Sequence, residues 1–569
     1  MKKLLETVKS LLEDTLVELG FLGNTIKLVF PNNSTNGDFC TNIALTQAKK
    51  MSEKPILIAN EIKKKLEEKG LPKEISKVEV AGVGFINFYF SADFFTEQIK
   101  IINDDQYSGF GKSSMYLGKR ILVEHSSPNL FKPFHIGHVM NNVIGESITR
   151  LARYSGAEVT EISYPSDVSL GIGKAIYIIM LDGVSKLDSL QTEEEKLAYL
   201  GECYVRGTKV FEEDKGLEIK IRDISKKIYN RIPSVEFNTY EKGKEISLSY
   251  FMGMTKRLGS SFDAYIFESE AGEEGGKIVR EHIGDVFVKS EGAIVYLGEK
   301  DGLHTRVFIN KTDDPTYEAK DIGLLSLKFK RYNPDFSIFV TDSQQARYFE
   351  VVASAAGKIE PTWKEKTIHR THGRMSFKGN KMSSRLGGAP IASVVLDAIA
   401  EEVSSRVDNL DKKLIEEIAL ASLKFDILRV ATGKNINFDP DTSLSFEGDS
   451  GPYLQYTAVR AMSVLSKAKN LNLPSVDFSK RSELLINDIA KILIHFPRIV
   501  ELSISEWAPH YLVSYLIELS HAFNSWYGNT RIIDQTNPML VYNLQLTNAV
   551  NIVMKNGLWI LGIEVPEKM

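Results

Sequence analysis

Apolar residues recur at Leu4, Leu5, Val8, Leu11, Leu12, Leu16 and Leu19, and Glu6, Lys9, Glu13, Asp14 and Glu18 lie between them. This spacing predicts an amphipathic helix over 4–19 and is not the unbroken apolar core of a secretory signal. The chain to about residue 110 continues as a small α+β unit. A strand is expected at TIKLVF (25–30) and a loop at PNNSTNGDF (31–39). Helices follow through NIALTQAKKM (42–51) and ILIANEIKKKLEEKG (56–70), then alternating strands at ISKVEVAG (75–82) and GFINFYFS (84–91). Gly and Ser in YSGFGKSS (107–114) mark a linker.

From about 119 the pattern changes to strand–helix–strand. RILVEH (120–125) reads as a buried strand. The helix expected over 136–154 sets Val139, Val143, Ile144, Ile148 and Leu151 on roughly one side, and Gly156 is placed to cap it. AEVTEISYP (157–165) is the second strand. Such a short βαβ unit predicts a doubly wound parallel sheet, an α/β fold. Residues 175–280 are mostly helical and charged, an insertion without a chemical motif. Strands return at GAIVYLG (292–298), TRVFIN (305–310) and FSIFVTDS (336–343). Beyond about 390 the chain reads as nearly all helix.

Composition changes this picture only a little. A chain of 569 residues is too long for one core, so several domains are expected. A net charge of −4 means that any nucleic-acid contact must draw on basic residues gathered on one face. Cys40 and Cys203 are too few for a disulfide framework or a cysteine zinc site, which fits a reducing compartment. No apolar run approaches the ~20 residues needed to span a bilayer. A cytoplasmic protein without membrane contact is expected.

The first candidate chemistry lies in SSPNLFKPFHIGHVMNN (126–142), where His135 and His138 flank Gly137 at a strand-to-helix junction. As metal ligands they lack further partners, and zinc-protease spacing is absent. A merely structural role is open. Position favours a third reading, because ligands of open α/β sheets bind where strand ends meet a helix N-terminus. Gly137 would let a nucleotide approach the backbone, and the histidines could donate to phosphate oxygens as charge develops. The second element is HGRMSFKGNKMSSRLGGAP (372–390), where Lys378, Lys381 and Arg385 alternate with glycines. Alone it is a solvated basic loop; paired with the histidines it reads as a lid over a triphosphate.

HIGH (135–138) with KMSSR (381–385) resembles the paired signature of class I aminoacyl-tRNA synthetases. VEHSSPNLFKPFHIGH, GDF-TNIA, VAGVGFINFYFS, TYEAKD (316–321), VTDSQQARYF (340–349), KFDILR (424–429) and SGPYLQYTAVR (450–460) are similar to arginyl-tRNA synthetases in particular. The resemblance implies ligation of L-arginine to tRNA(Arg) through an arginyl-adenylate, with ATP as substrate, Mg2+ accompanying it and no protein-bound zinc or other metal. The implied architecture is a small N-terminal α+β domain (1–110) and a Rossmann-like catalytic domain (111–447) carrying the insertion. An all-helical anticodon-binding bundle (448–569) completes it, in a protein expected to act as a monomer.

By the same resemblance, His135, His138, Lys132 and Lys381 are catalytic, and Gly137, Met382 and Ser383 join the histidines and Lys381 around ATP. Glu158 and Asp321 take the guanidinium, Tyr317 and Gln345 complete the pocket, and Asn129 and Ser127 hold the α-amino end. A planar, permanently charged guanidinium needs carboxylates placed for forked bonding, so this donor set suits it. Tyr453, Tyr456, Arg460, Trp526 and Tyr527 are candidates for tRNA contact, since aromatic rings stack on unpaired bases. Two departures stand out. Ser384 replaces the second lysine of the usual Lys-Met-Ser-Lys-Ser, and Lys132 is expected to supply that charge instead. SYPSDVSLGIGKA (163–175) replaces an Asn-Tyr-Leu-Gly-Asp-Trp-Gly-like stretch, with Asp167 keeping an acidic position and Ser163 standing for asparagine. A class I enzyme of other specificity, for lysine or cysteine, is an alternative. So is a non-catalytic paralogue that binds tRNA or senses arginine.

Overall fold

The computed structural model describes residues 1–21, 25–31, 36–104, 109–378, 390–407, 410–469, 471 and 487–569. They divide into two compact units: Met1–Gly111 with Thr457–Arg498 and Glu518–Asn556, and Lys112–Tyr456 with Ile499–Ile517 and Gly557–Met569.

In the first unit, α1 (Lys2–Glu18) buries Val8, Leu12 and Leu16, the face its spacing defines. β1 (Phe39–Thr41), β2 (Ile75–Ala81) and β3 (Phe85–Phe90) make an antiparallel sheet in the order β1-β3-β2. Against it lie α2 (Ile43–Met51) and α3 (Pro55–Lys69), the latter opening on a proline whose fixed φ suits a first helical turn. TIKLVF does not form the expected strand. It makes one bridge, Val29 to Cys40, because three-residue β1 offers only the Cys40 amide and carbonyl on that edge. A further helix, α4 (Ala92–Asp104), packs Phe94 and Phe95 beside Phe90.

The second unit is organised by a five-stranded, all-parallel sheet. Its strands are β4 (Arg120–Glu124), β5 (Glu158–Ser163), β6 (Ala264–Tyr265) and, after three short strands, β10 (Phe336–Asp342) and β11 (Thr367–His372). The spatial order is β11-β10-β4-β5-β6. The chain therefore builds outward from β4 in one direction and then returns to build from β10 in the other. The junction of β4 and β10 is the switch point at which such sheets bind ligands. GAIVYLG and TRVFIN are strands but lie outside this sheet. β7 (Val288–Ser290), β8 (Ala293–Tyr296) and β9 (Arg306–Ile309) form a separate antiparallel sheet. No helix among the described residues is long and apolar enough to cross a membrane.

α5 (Ile136–Tyr154) runs from β4 to β5 and buries Val139, Val143, Ile148 and Leu151. Gly145 lets it lie directly on the sheet, since a Cβ there would come within 2.2 Å of the His125 ring. The helix ends at Ser155, and Gly156 follows with a φ of +84°. The insertion is helical as expected: α6 (Leu170–Asp182), α7 (Ser185–Ser189), α8 (Glu193–Glu213), α9 (Lys215–Tyr229) and α10 (Val235–Arg257). Asp167 fastens it. The buried carboxylate accepts from Lys244 Nζ (2.8 Å), Tyr240 Oη (3.1 Å), and the amide and hydroxyl of Ser269 (both 2.9 Å). The acidic position of the atypical stretch is thus spent on holding the insertion to the loop after β5.

α11 (Glu268–Glu281) and α12 (Tyr317–Tyr332) cross at glycines. A Cβ on Gly275 would lie 1.8 Å from the Ala319 carbonyl oxygen, and one on Gly323 would lie 1.9 Å from that of Ala271. Backbone meets backbone here, so no rotamer change relieves a larger side chain. Gly275→Ala is expected to cost about 1–3 kcal/mol and to shift α12, which carries Tyr317 and Asp321. Thermal unfolding of the variant checks the cost, and its crystal structure checks the shift of α12.

Candidate active site at the sheet switch point

A cavity of about 710 Å³ opens over the carboxyl ends of β4, β10 and β11. Glu124 ends β4, and Ser127 and Asn129 lie in the loop that follows. His135, Gly137 and His138 begin α5, Tyr317 and Asp321 stand on α12, and His372 ends β11. Gln345 and Tyr348 come from the start of α13 (Ala346–Ile359). The sequence thus scattered across more than two hundred residues is gathered at one place. The β4–α5 loop is held in an uncommon backbone conformation, with Ser126 and Phe131 at φ of +56° and +63°. Asn141 accepts from the Ser126 amide (2.6 Å) and donates to the Val340 carbonyl (2.6 Å), tying the loop to β10 across the switch point. Ser247 accepts from the Phe131 amide (3.1 Å).

The histidines have a defined polarity. His135 caps α5, its Nδ1 accepting from the Gly137 amide at 3.1 Å; His138 Nδ1 accepts from the His135 amide at 3.2 Å. A nitrogen that accepts carries no proton, so in each neutral ring the hydrogen sits on Nε2. Burial holds both groups below the usual imidazole range, His138 far below, assisted by the positive fields of their neighbours and Lys132. The rings stack with centroids 3.8 Å apart. Two neutral N–H donors at a helix N-terminus are what a phosphate bearing growing charge requires.

The other end of the cavity is acidic and phenolic. Asp321 accepts from Tyr348 Oη at 2.5 Å, and burial pushes its carboxyl up to about 7. The Tyr164 hydroxyl is buried and has no hydrogen-bond partner among the described residues. At the cavity floor Glu124 pairs with Lys328, which is only 2% exposed. Glu318 pairs with Arg306 at 3.1 Å.

Glu158 is not part of this assembly. It opens β5 opposite Arg120, at the amino end of the sheet, so a whole strand separates its carboxylate from the cavity. Glu268, which carries no motif, is better placed. It is buried, paired with Lys320, and its charge reaches Tyr164, Tyr317 and Asp321. Glu124, Tyr164 and Tyr348 were also missed, although Glu124 and Tyr348 lie inside quoted motifs and Tyr164 within the atypical stretch. Lys132 is exposed, with its ammonium 4.2 Å from the centroid of the Tyr204 ring, and it does not line the cavity. Lys381, Met382 and Ser383 lie outside the described residues. The flanks of their loop are placed, however. Met375–Phe377 pairs with Ile436–Phe438, and the Pro390 carbonyl accepts from Ile136, the first residue of α5, at 2.9 Å.

Among the tRNA candidates, Tyr453 is buried and unavailable for stacking, because the start of its helix (Gly451–Ala468) packs into the core. Tyr456 is half-buried with its ring edge on Phe446. In the first unit Trp526 packs against Val464, Ile532, Leu540 and Leu544. Tyr527, on the helix His510–Asn529, is exposed, with the Arg460 guanidinium 4.9 Å from its centroid.

One cluster has metal-ligand composition. His125, Glu146 and Glu161 bring ligand atoms within 4.8 Å of one another beneath α5. Its charges are already matched: Arg150 holds Glu146 (2.5 Å), and Arg153 (3.1 Å) and His125 (2.7 Å) hold Glu161. A dication placed there would face both arginines, so the arrangement reads as a buried ion-pair network.

Comparison with known proteins agrees with this geometry. The family model "tRNA synthetases class I (R), catalytic domain" matches residues 101–425. "Arginyl tRNA synthetase N terminal domain" matches 3–90, and "DALR anticodon binding domain" matches 454–569. The chain is 28% identical to the arginine--tRNA ligase of Clostridium perfringens over 96% of this chain and 97% of that one. It is 29% identical to that of Thermococcus sibiricus over 94% of each. The fold is similar to Thermus thermophilus arginyl-tRNA synthetase, with a TM-score of 0.76 and 23% identity over 99% of this chain and all of that one. A Plasmodium falciparum arginyl-tRNA synthetase gives 0.77 at 18% identity, over 99% of each. With the catalytic model alone matching more than half of its length, the chain belongs to the arginyl-tRNA synthetases of class I.

Proposed function

We propose that the switch-point cavity holds arginine and ATP side by side, with the phosphates over α5 and the guanidinium between Asp321, Tyr348 and Tyr164. Family membership assigns the overall reaction, the ATP-dependent ligation of arginine to tRNA. In the reading favoured here, the arginine carboxylate attacks the α-phosphorus and the bond to pyrophosphate breaks. His135 and His138 donate to the phosphate oxygens as negative charge grows on them. A tRNA terminal hydroxyl then attacks the adenylate carbonyl and AMP leaves. Asn129 and Ser127 are proposed to meet the α-amino end, Tyr317 and Gln345 to close the pocket, and Glu268 to act as the second acidic residue in place of Glu158. Lys381, Met382 and Ser383 are assigned to the triphosphate, Mg2+ is proposed to accompany it, and Lys132 is proposed to act on it from the rim. Tyr527 and Arg460 are proposed to meet tRNA, in a contact that weakens as salt rises.

The observation that carries this reading is the polarity of one cavity, with neutral N–H donors at one wall and an acid with phenols at the other. It has a pH signature. A guanidinium needs the ionised carboxylate, but burial keeps Asp321 protonated below about pH 7. Arginine binding must expel that proton, so apparent affinity falls up to about tenfold per unit as pH drops below 7, and is flat above it. Arginine KM measured between pH 5.5 and 8.5 tests this. A KM independent of pH across that range would contradict the placement of the guanidinium on Asp321.

A further inference from the structure

His372 has a role that neither the signature nor the family match supplies. It is the last residue of β11, 5% exposed, and lines the cavity. Its Nδ1 lies 2.8 Å from the Gly373 carbonyl oxygen. A carbonyl only accepts, so Nδ1 carries the hydrogen and, in the neutral ring, Nε2 is a bare acceptor. Burial keeps this imidazole below its ordinary range, against the opposing pull of that hydrogen bond and of Asp342. Nε2 has no hydrogen-bond partner among the described residues.

The cavity therefore contains imidazoles of opposite polarity. His135 and His138 present N–H donors at α5, and His372 presents a lone pair from β11. A phosphate offers no hydrogen to an acceptor, so a bound nucleotide must turn its phosphates to α5 and a donor group to β11. β11 lies two strands, roughly 10 Å, from β4, and His372 is near enough to His138 to bear on its ionisation, so one nucleotide can meet both. We propose that His372 reads the base of the nucleotide, its Nε2 accepting from the exocyclic amine of adenine and rejecting a purine with a 6-oxo group, whose oxygen would face the lone pair. This rests on the reading of the cavity as the ATP site. Direct binding separates the two claims, because it does not depend on catalysis.

The test is equilibrium binding of ATP, ITP and 2′-deoxy-ATP to the full-length protein, its His372→Phe variant and its His372→Gln variant, whose amide oxygen can replace Nε2. His372→Phe should weaken ATP about tenfold while leaving ITP unchanged or tighter, so that the preference for ATP collapses. His372→Gln should recover most of it. In arginine-dependent pyrophosphate exchange the Phe variant should show a raised ATP KM with kcat within about threefold. An ATP-to-ITP ratio unchanged in His372→Phe overturns the proposal. So does a loss of discrimination confined to 2′-deoxy-ATP, which would assign His372 to the ribose. Normal ATP selectivity in wild type without any arginine-dependent exchange would defeat the synthetase reading and leave the base-reading role standing.

Discussion

Replacing His138 with alanine is expected to lower the rate of arginine activation by ~10²–10³-fold while arginine binding changes little. The imidazole is buried, uncharged and fixed by the hydrogen bond from the His135 amide, so its Nε2–H is already directed when charge develops. A preorganised donor of this kind acts mainly on the transition state, and its loss should appear in kcat. The same substitution removes the ring stacked on His135 and on Phe134, and folding is therefore monitored by circular dichroism. His138→Gln, whose amide nitrogen can stand where Nε2–H does, should recover part of the rate. A folded His138→Ala enzyme with normal turnover would remove the histidines from the chemistry.

The second large effect falls on substrate selection. Asp321→Asn keeps the shape of the side chain and removes its charge. With the guanidinium then left against an amide in a buried site, kcat/KM for arginine should fall by ~10²–10⁴-fold. The pH dependence of arginine KM should disappear with it, because the titrating group is gone. Tyr348→Phe should be milder, about tenfold, since it removes one hydrogen bond to Asp321 and leaves the charge. Steady-state exchange at several pH values distinguishes these variants. Asp321→Asn with unchanged KM would place the guanidinium elsewhere.

The parts of the site that could be read in the sequence are those whose chemistry is local. His135, Gly137 and His138 follow one another at a junction that apolar patterning alone marks, and the βαβ spacing gives the parallel pairing of β4 with β5. Tyr317 and Asp321 share one face of α12 because they are a helical turn apart. Glu158 failed for the opposite reason. Its role came from resemblance alone, whereas chain direction puts it at the amino end of β5, and the parallel register sets it beside Arg120, a strand's length from Glu124 and Asp342 at the cavity. Glu268 is invisible for a further reason. It stands outside the cavity lining, and its charge bears on Tyr164, Tyr317 and Asp321 across the contact of α11 with α12, which no window of sequence reports. The tRNA candidates divide by burial: alternation could not tell core Tyr453 from exposed Tyr527 on all-helical segments. TIKLVF shows the same limit in a strand: among the described residues it meets only β1, which is three residues long.

The most direct measurement is amino-acid-dependent ATP–pyrophosphate exchange by the full-length protein, run with and without tRNA(Arg), using arginine against lysine, citrulline and cysteine. Exchange with arginine alone, in the presence of tRNA, is the result expected from a cavity that pairs Asp321 with a guanidinium and aims the α5 histidines at ATP. Exchange with another of these amino acids, or none with arginine when tRNA is bound, would contradict it.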